Sequence, residues 1–531
     1  MSTRQKSNVV LLSLYDVESF AVHTLHAVLK KSGFNVYSIF FKRLNPNNTM
    51  DSPTSDEINT LIKLIKRLGP ILVGISVRSV LFKLACRVTE EIKKEVDALV
   101  IWGGVHPTIR PEQSIEFADI VCIGEGEDPI IELTAKLSKG EELDSIKNLW
   151  VRKGDKIIKN DLCPLIQALD SLPFPDFSNE NKYLVENGNN VVSSQDPDKR
   201  TTYWIMTSRG CPFNCTYCCD HILKETYKDK GMYVRRRSID NVIEELVQAK
   251  KRFKNLIFIN FLDDVFTLDA NWVRKFCEQY KKVVNLPFFC LCHPRTVNKE
   301  MIKFLKDAGV SSISMGVQTG SEKIRHKYFE RYDTNEEIVD ASQILHKYKI
   351  NYSYSIIVDN PLETDETRME TFHLLLRLPR PFVLYTYTLT CFPETKLTKL
   401  LLEKGLISED DVEDKKQKSY ENMSPTLDLR RDKENLFWCN LYFLIQKKYI
   451  PKRFIVWLSR IKMLKRYPKL LTLVLRSMSS EISTVRKGSK ADMIRRYLMR
   501  VIYNPHLLFK KAWFLLKIMI KKLQFRLYET K

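Results

Sequence analysis

The chain has 531 residues, which predicts about two to four domains, because one domain commonly holds roughly 100 to 200 residues. Its apolar fraction of 44% and charged fraction of 28% exclude a disordered chain, a collagen and a small disulfide scaffold. The net charge of +21 lies almost entirely at the C-terminal end, because residues 447–531 hold 23 Lys and Arg against three acidic residues.

The N-terminal residues indicate neither an export signal nor a membrane span. The apolar run at residues 9–12 is too short for either, and the chain contains no stretch of about 18 uncharged apolar residues. Twelve cysteines without an export signal point to a reducing compartment and to metal or thiol chemistry. We therefore expect a cytoplasmic protein.

Residues 8–140 alternate strand-like and helix-like segments. Continuous apolar strands separated by helices predict an α/β fold with a doubly wound parallel sheet. Ligands bind such sheets beyond the carboxyl ends of the strands, where small residues let a ligand approach the backbone. The small residues at these ends also suit ordinary turns. They are Ser76, Gly103, Gly104, Gly124 and Gly126.

Residues 141–200 are predicted to be a linker between two domains. Pro173 and Pro175 stiffen one part of this segment, and residues 178–200 are polar with chain-breaking Asn-Gly and Asp-Pro pairs. A strand-like run at residues 203–206 then begins the second domain, which we assign to residues 201–410.

Three cysteines follow that strand at intervals of four and three residues: Cys211, Cys215 and Cys218. In one loop they can surround one face of a cubane iron–sulfur cluster, because such clusters require soft thiolate ligands. Three ligands leave one iron of the cluster open. Zinc is the main alternative metal, but structural zinc sites fill four positions and favour paired Cys-x-x-Cys. We interpret Cys219 as a bystander, and three unrelated loop cysteines remain the structural alternative.

From this strand onward, strand-like and helix-like segments alternate six times. They extend over about 190 residues, whereas a full eightfold barrel needs about 250. The pattern predicts a partial (β/α)6 barrel with an open side for a large substrate. Charged and amide side chains at the strand ends belong where a barrel places its site.

Both regions resemble one family. The cysteine spacing is similar to that of the radical S-adenosylmethionine (SAM) enzymes, and residues 103–108 with 124–127 resemble the cobalamin-binding domain that precedes the catalytic domain in one large group of them. The resemblance covers residues 8–410 and implies a [4Fe–4S] cluster on the three cysteines, SAM on the open iron, and cobalamin. The Asp-x-His-x-x-Gly element is absent from residues 14–19, which implies cobalamin without a histidine ligand, and His106 is expected to be a structural or pocket residue.

The resemblance also implies SAM-binding roles for side chains after successive barrel strands. Asp263 and Asp264 resemble the element that binds the methionyl ammonium, and Arg295 resembles a third-strand arginine near the cofactor. Arg331 resembles the arginine that pairs with the methionyl carboxylate. Each can instead form an ordinary surface ion pair. The residues that resemble the fourth-strand element near the ribose and carboxylate are Gln318, Ser321 and Glu322.

The chemistry that this resemblance implies is reductive cleavage of SAM, followed by hydrogen abstraction from an unactivated carbon. With methylcobalamin it implies C-methylation of a small-molecule or lipid-like substrate, with a flavodoxin or ferredoxin as reductant. The alternatives are radical cyclisation, rearrangement or oxidation with the same cofactors. A non-catalytic iron–sulfur or cobalamin sensor is the alternative from a different class, although a sensor has no need of an open iron beside a barrel mouth.

Residues 411–531 are predicted to be a helical, basic C-terminal region. As a helix of about 100° per residue, residues 506–528 place their cations on one half and an uncharged apolar sector opposite. Residues 449–466 repeat this mixture. The pattern suits the plane of an anionic membrane; the alternatives are a helix packed on the barrel and nucleic-acid binding, which the wide apolar sector disfavours.

Overall fold

The computed structural model describes residues 7–44, 50–186, 190–193, 199–412 and 427–483. These ranges contain two parallel sheets with flanking helices, followed by a group of helices. The predicted α/β fold, with a doubly wound N-terminal sheet followed by a partial barrel, is confirmed. In this described part of the chain, no helix is long and apolar enough to cross a membrane.

In the described ranges, the N-terminal sheet has nine strands. They are β1 Asn8–Leu14, β2 Asn35–Phe41, β3 Pro70–Ser76, β4 Leu99–Gly103, β5 Ile120–Cys122, β6 Leu149–Lys153, β7 Lys156–Lys159, β8 Lys182–Glu186 and β9 Asn190–Ser193. Their spatial order is β7-β6-β5-β4-β3-β1-β2-β8-β9, and β5 to β2 are parallel in the order expected of a doubly wound sheet. Because helices cover both faces, the central strands are buried along almost their whole length.

Six α-helices accompany this sheet in the part of the chain that the structure describes. They are α1 Phe20–Lys31, α2 Ser55–Leu68, α3 Phe82–Glu95, α4 Val105–Ile109, α5 Pro111–Ile115 and α6 Glu127–Lys139. Helix α2 shows how the sequence sets a boundary: Thr54 and Glu57 form a capping box at its start, and Gly69 ends it in the left-handed conformation.

The linker prediction for residues 141–200 is wrong, because this segment extends the sheet at both edges. Strands β6 and β7 continue the β5 edge as an antiparallel hairpin, and β8 and β9 continue the β2 edge. Edge strands are half-exposed and mix polar with apolar residues, so they lack the continuous apolar runs of the central strands. The Asp176 amide, just after the prolines, donates to the His23 carbonyl of α1 at 3.1 Å, and the buried Lys182 ammonium of β8 donates to Asp176 Oδ1 at 3.0 Å.

The second sheet has six parallel strands in chain order, as predicted for the partial barrel. A two-stranded ribbon, β11 and β12, is inserted after the first of them. The strands are β10 Thr202–Ile205, β11 Ser208–Arg209, β12 Arg235–Arg236, β13 Phe258–Phe261, β14 Phe288–Cys292, β15 Val310–Gln318, β16 Asn351–Val358 and β17 Val383–Thr388. The helices are α7 Asp220–Thr226, α8 Ile239–Arg252, α9 Ala270–Val283, α10 Lys299–Asp307, α11 Asn335–Lys347, α12 Asp365–Arg377 and α13 Lys396–Glu403.

Within residues 427–483, four helices pack on the last part of the barrel. They are α14 Lys433–Ile445, α15 Lys452–Ser459, α16 Lys462–Arg466 and α17 Pro468–Ser483. Helix α14 is buried on most sides and joins α12, where Trp438 Nε1 donates to Asp365 Oδ1 at 2.9 Å. The amphipathic helix predicted for residues 506–528 lies outside the described residues.

Candidate functional site

A cavity of about 500 Å³ lies between the N-terminal sheet and the start of the barrel. Its first wall is formed by the carboxyl ends of β3, β4 and β5, and all five predicted small residues line it: Ser76, Gly103, Gly104, Gly124 and Gly126. Its second wall comes from the other domain. The polar and glycine residues of that wall are Ser208, Arg209, Gly210, Asp220, Tyr227, Tyr233, Arg235 and Asp264.

The cavity continues between the sheet and two of its helices. Leu11 and Ile101 line it from the middle of β1 and β4, and Val22 and Ile130 line it from α1 and α6. A ligand of this cavity therefore meets backbone at the strand ends and an apolar lining deeper in the domain. His106 does not line it: this residue is buried, and its Nδ1 is 3.1 Å from Ser79 Oγ.

Gly124 is required by the close approach of the second domain. It has φ of 77°, and a Cβ at this position would lie 1.6 Å from the Tyr227 hydroxyl oxygen. The same hydroxyl accepts a hydrogen bond of 2.9 Å from the Glu125 amide. Glycine is thus the residue that lets the two domains meet at the end of β5.

Two glutamates beside Gly124 bind arginines of the second domain, a contact that the sequence analysis did not identify. Glu125 accepts from Arg209 and Arg235 at 2.8 Å each, and Glu127 accepts from Arg209 at 2.5 Å. Arg235 is only 4% exposed, so water screens this ion pair poorly. We name these four side chains the interdomain ion-pair network. Arg209 lies two residues before Cys211, so the network ties the end of β5 to the cysteine loop.

The loop that carries Cys211, Cys215 and Cys218 is held by side chains on both sides. Gly210 at its start has φ of 87°, and a Cβ there would lie 2.5 Å from the Tyr233 carbonyl oxygen. The Lys224 ammonium donates to the carbonyl oxygens of Pro212 and Phe213 at 3.0 and 3.2 Å. These bonds fix the backbone from which the three thiols project.

The donor chemistry of this loop fits an iron–sulfur cluster. Cys215 is buried, and Cys211 and Cys218 are partly buried beside the cavity wall, where Cys218 Sγ lies 3.3 Å from Asp220 Oδ2. Burial raises the pKa of Cys211 to about 12 and also raises the pKa of Cys218, so these two thiols stay protonated at neutral pH until a metal centre binds them. Across the described residues, no group of three or more His, Cys, Asp or Glu side chains is arranged to hold a single metal ion.

The two neighbouring aspartates after β13 have different surroundings. Asp263 is buried, and its carboxylate accepts from the Thr207 amide and hydroxyl at 3.1 and 2.6 Å and from the Ser208 hydroxyl. These bonds hold the Asp263 carboxylate at the end of β10, and Asp263 does not line the cavity, so its contact with the methionyl ammonium stays a prediction. Asp264 faces the cavity, where burial, Asp220 and Asp263 raise its pKa to about 7.

Two predicted SAM-binding residues form ordinary structural contacts instead. Arg295 is half-exposed and pairs with Glu337 at 3.2 Å on the surface. Glu322 accepts from the Asn335 amide at 2.6 Å at the start of α11. Neither side chain lines the cavity, and their cofactor-binding roles stay predictions, because position after a strand does not determine whether a long side chain turns inward.

Arg331 does lie beside the cysteine loop. It is 7% exposed, bonds to the Tyr217 hydroxyl next to Cys215, and donates to the Gly316 carbonyl at 2.7 Å. The Gln318 side chain covers the same glycine: a Cβ added to Gly316 would lie 2.6 Å from Gln318 Nε2. Arg331 and Gln318 thus meet at the end of β15, and Ser321 is fully buried nearby in the chain.

His293 is a site residue that the sequence analysis missed. It follows β14, and its ring stacks on Phe213 of the cysteine loop with centroids 4.0 Å apart. Burial, together with Arg331 and Arg295, lowers its pKa to about 2, so it supports the loop as a neutral ring. Its place after a strand and beside Arg295 was the available signal.

Two family models match the chain, the radical SAM superfamily over residues 205–375 and the B12 binding domain over residues 7–134. Together they match more than half of its length. The fold and the site define the class of proteins in which a B12-binding sheet precedes a radical SAM barrel. The chain belongs to this family, the cobalamin-binding radical SAM enzymes.

Two named relatives align with about two thirds of the chain. An uncharacterized methyltransferase, PH0819 of Pyrococcus horikoshii, is 28% identical over 354 residues, which are 65% of this chain and 72% of that protein. The anaerobic magnesium-protoporphyrin IX monomethyl ester cyclase of Cereibacter sphaeroides is 25% identical over 365 residues. That alignment covers 66% of this chain but only 55% of the cyclase.

Solved structures share the fold at lower identity. The radical SAM methyltransferase TsrM of Kitasatospora setae, with cobalamin and a [4Fe–4S] cluster bound, has a TM-score of 0.60 at 18% identity, over 75% of this chain and 78% of that chain. OxsB, with aqua-cobalamin and SAM bound, has a TM-score of 0.56 at 18% identity, over 94% of this chain and 76% of that chain. These likenesses establish a common architecture.

Proposed function

We propose that this enzyme methylates an unactivated carbon of a small-molecule substrate, using SAM, a [4Fe–4S] cluster and cobalamin. The observation that carries the proposal is the cavity: one wall consists of the small residues at the ends of β3, β4 and β5, and the other adjoins the cysteine loop. A ligand in this cavity would touch both domains, as a methyl transfer between cobalamin and a substrate radical formed beside the cluster requires. The names of the relatives as methyltransferases support the same reaction.

Each group has a proposed binding place in the chain. Cys211, Cys215 and Cys218 hold the cluster, and the cavity holds cobalamin at the ends of β3 to β5. Residues 14–19 do not line the cavity and contain no histidine, so we propose that the chain supplies no histidine ligand from this loop. When bound, these groups supply an electron, a carbon radical and a methyl carrier.

The side chains around the cavity orient these groups and keep water out. The Asp264 carboxylate accepts a hydrogen bond from the methionyl ammonium. The Arg331 guanidinium balances the negative charge beside Cys215. The interdomain ion-pair network fixes the distance between the cobalamin wall and the cysteine loop. We further propose a flavodoxin or ferredoxin as electron donor.

Radical ring closure is a second candidate, because three of the relatives are named as anaerobic cyclases. Both reactions begin with cleavage of SAM and differ in what happens to the substrate radical. A cyclase needs no methyl group from SAM in its product, so the two candidates predict different labelling patterns.

The deciding experiment follows a labelled methyl group. The reconstituted protein is incubated anaerobically with a chemical reductant, SAM carrying a deuterated methyl group, and extract from cells that lack the protein. We expect 5′-deoxyadenosine, S-adenosylhomocysteine and a product with the deuterated methyl group, all absent with Cys215→Ala. Deoxyadenosine with an unlabelled new product would establish ring closure or rearrangement instead, and no deoxyadenosine at all would favour the sensor.

The raised pKa of Asp264 predicts that SAM binding depends on pH. Only the ionised carboxylate attracts the methionyl ammonium, and the ionised fraction below a pKa of about 7 falls about tenfold per pH unit. We expect the affinity for SAM to rise about tenfold from pH 6 to pH 8, measured by equilibrium binding to the reconstituted protein.

Two variants separate this effect from a general pH response. Asp264→Asn should bind weakly at both pH values, with the pH dependence lost. Glu322→Gln should bind as the parent does, because that carboxylate accepts from the Asn335 amide instead. A normal pH profile in Asp264→Asn would contradict the assigned role.

A further inference from the structure

The C-terminal helices expose a surface that has no part in the cavity. Helices α15 to α17 bury one face, including Ile455, Leu458 and Leu464, against the rest of the protein. The predicted alternative of helices packed on the barrel is thus realised for this part of the region. Yet large apolar side chains remain exposed on the outer side. They are Phe454 at 38%, Trp457 at 51%, Met463 at 41%, Tyr467 at 43% and Leu473 at 53%.

These apolar side chains alternate with cations. Residues 447–480 contain ten Lys and Arg and no Asp or Glu. Exposed cations stand within a few residues of the exposed apolar side chains: Arg453, Arg460, Lys462, Arg466 and Lys469. We name this set of exposed apolar and cationic side chains the outer face of the C-terminal helices.

The aromatic side chains of this face contact one another and a neighbouring cation. Phe454 and Trp457 stack with centroids 5.6 Å apart, and the Arg466 guanidinium lies 5.5 Å from the Tyr467 ring centroid. Aromatic rings with apolar bodies and polar edges, surrounded by cations on long stems, match the boundary between lipid headgroups and acyl chains.

We propose that the outer face of the C-terminal helices binds the surface of an anionic lipid bilayer. Charge complementarity selects this occupant. The segment that follows, residues 484–531, holds 13 Lys and Arg against two acidic residues, so folding it onto the outer face would bring like charges together. Nucleic acid would satisfy the cations but not Trp457, Met463 and Leu473, which gain from leaving water.

The orientation follows from the same side chains. The helices lie in the plane of the membrane, because their buried face is occupied by the protein and their outer face carries the apolar side chains. Apolar side chains enter the boundary region, and the cations reach the headgroup phosphates. Salt weakens the cationic part of the contact, so binding falls as ionic strength rises.

The test is co-sedimentation of the full chain with vesicles, which requires no cofactor and is independent of the proposed methyl transfer. Vesicles of phosphatidylcholine alone are compared with vesicles in which about a third of the lipid is phosphatidylglycerol, at about 0.15 M salt. We expect at least a tenfold stronger partition to the anionic vesicles. Equal partition to both, or none, would overturn the proposal.

Variants locate the contact. Phe454→Ser with Trp457→Ser, and separately Arg453→Gln with Arg460→Gln, Lys462→Gln and Lys469→Gln, should each lower the partition at least tenfold. These side chains are exposed, so we expect the variants to fold, which circular dichroism checks. The matched control replaces the exposed Lys281, Lys282 and Lys303 of α9 and α10 by Gln and should bind normally.

A third set of variants addresses the rest of the basic region. Replacing Lys510, Lys511, Lys517 and Lys521 by Gln in the full chain should leave most of the binding intact. If these replacements abolish binding while the outer-face variants bind normally, the contact lies in residues 484–531 and the proposal is wrong. Displacement of the vesicles by a short duplex RNA, at equal charge, would likewise contradict it.

Discussion

Replacing Cys215 by alanine is expected to remove the iron–sulfur cluster and to reduce 5′-deoxyadenosine formation to background. Cys215 is the middle one of the three proposed cluster cysteines and is buried, beside the Tyr217 hydroxyl and Arg331. Loss of one thiolate leaves two ligands for a cluster whose fourth position must already stay open. A side chain without a thiol does not replace it well, because cluster irons prefer thiolate.

The measurement combines iron and sulfide content, the visible absorption of the cluster and 5′-deoxyadenosine yield after anaerobic reconstitution. The parent should hold about four irons per chain in this site. Cys219→Ala is the matched control, since Cys219 belongs to the same loop and is also partly buried, yet is expected to hold no iron. A Cys215→Ala protein with full iron content, or a Cys219→Ala protein without iron, would contradict the assignment.

Removing the negative charge from the interdomain ion-pair network is expected to separate SAM cleavage from methyl transfer. In Glu125→Gln with Glu127→Gln, the cysteine loop keeps its ligands, but Arg209 loses the carboxylates that fix it to the end of β5. A misplacement of about 1 Å between reacting groups can lower a rate about a hundredfold. We expect about a hundredfold less methylated product, with 5′-deoxyadenosine formation within about threefold of the parent.

The amide is chosen because it keeps the size of the side chain and one acceptor oxygen. Deleting one partner of a buried ion pair altogether lowers the stability of the fold by about 3 to 5 kcal/mol. A loss of activity through misalignment could then not be distinguished from a loss through unfolding. Glu18→Gln is the control: Glu18 pairs with Arg200 at 2.9 Å across the same two parts of the chain, but neither side chain lines the cavity. If the double variant loses 5′-deoxyadenosine formation and methyl transfer equally, the network stabilises the fold in general and has no specific role in methyl transfer.

The sequence predicts the strand ends of this protein well and the direction of long side chains poorly. Continuous apolar runs mark the central strands, and the carboxyl ends of parallel strands meet at one edge, which brings Ser76, Gly103 and Gly126 to one cavity. The choice between Asp263 and Asp264 depends on which side chain the local backbone turns inward. That choice is made by Thr207 and Ser208, which the chain brings close only after folding.

Contacts between domains were the other part that the sequence could not reveal. Glu125 and Glu127 stand 82 or more residues before the arginines that they bind. In the sequence, residues 124–127 resemble part of a cobalamin-binding domain, which gives no sign of a contact with another domain. The available signal was that acidic residues stand beside the glycines after β5 and basic residues stand beside the cysteine loop. Many other charged residues of the chain could be paired in the same way, so this signal does not identify the partners.

The N-terminal domain extends beyond its parallel strands, because it includes the hairpin of β6 and β7 and the pair of β8 and β9. The B12-binding family model ends at residue 134, where β5 and β2 would each be left as an uncovered, apolar edge. Such edges pair readily with strands of other molecules, so a fragment cut there would be prone to aggregation. By covering both edges with half-polar strands, residues 149–193 give the domain protection against self-association, and the chain reaches the barrel only after this protection is complete.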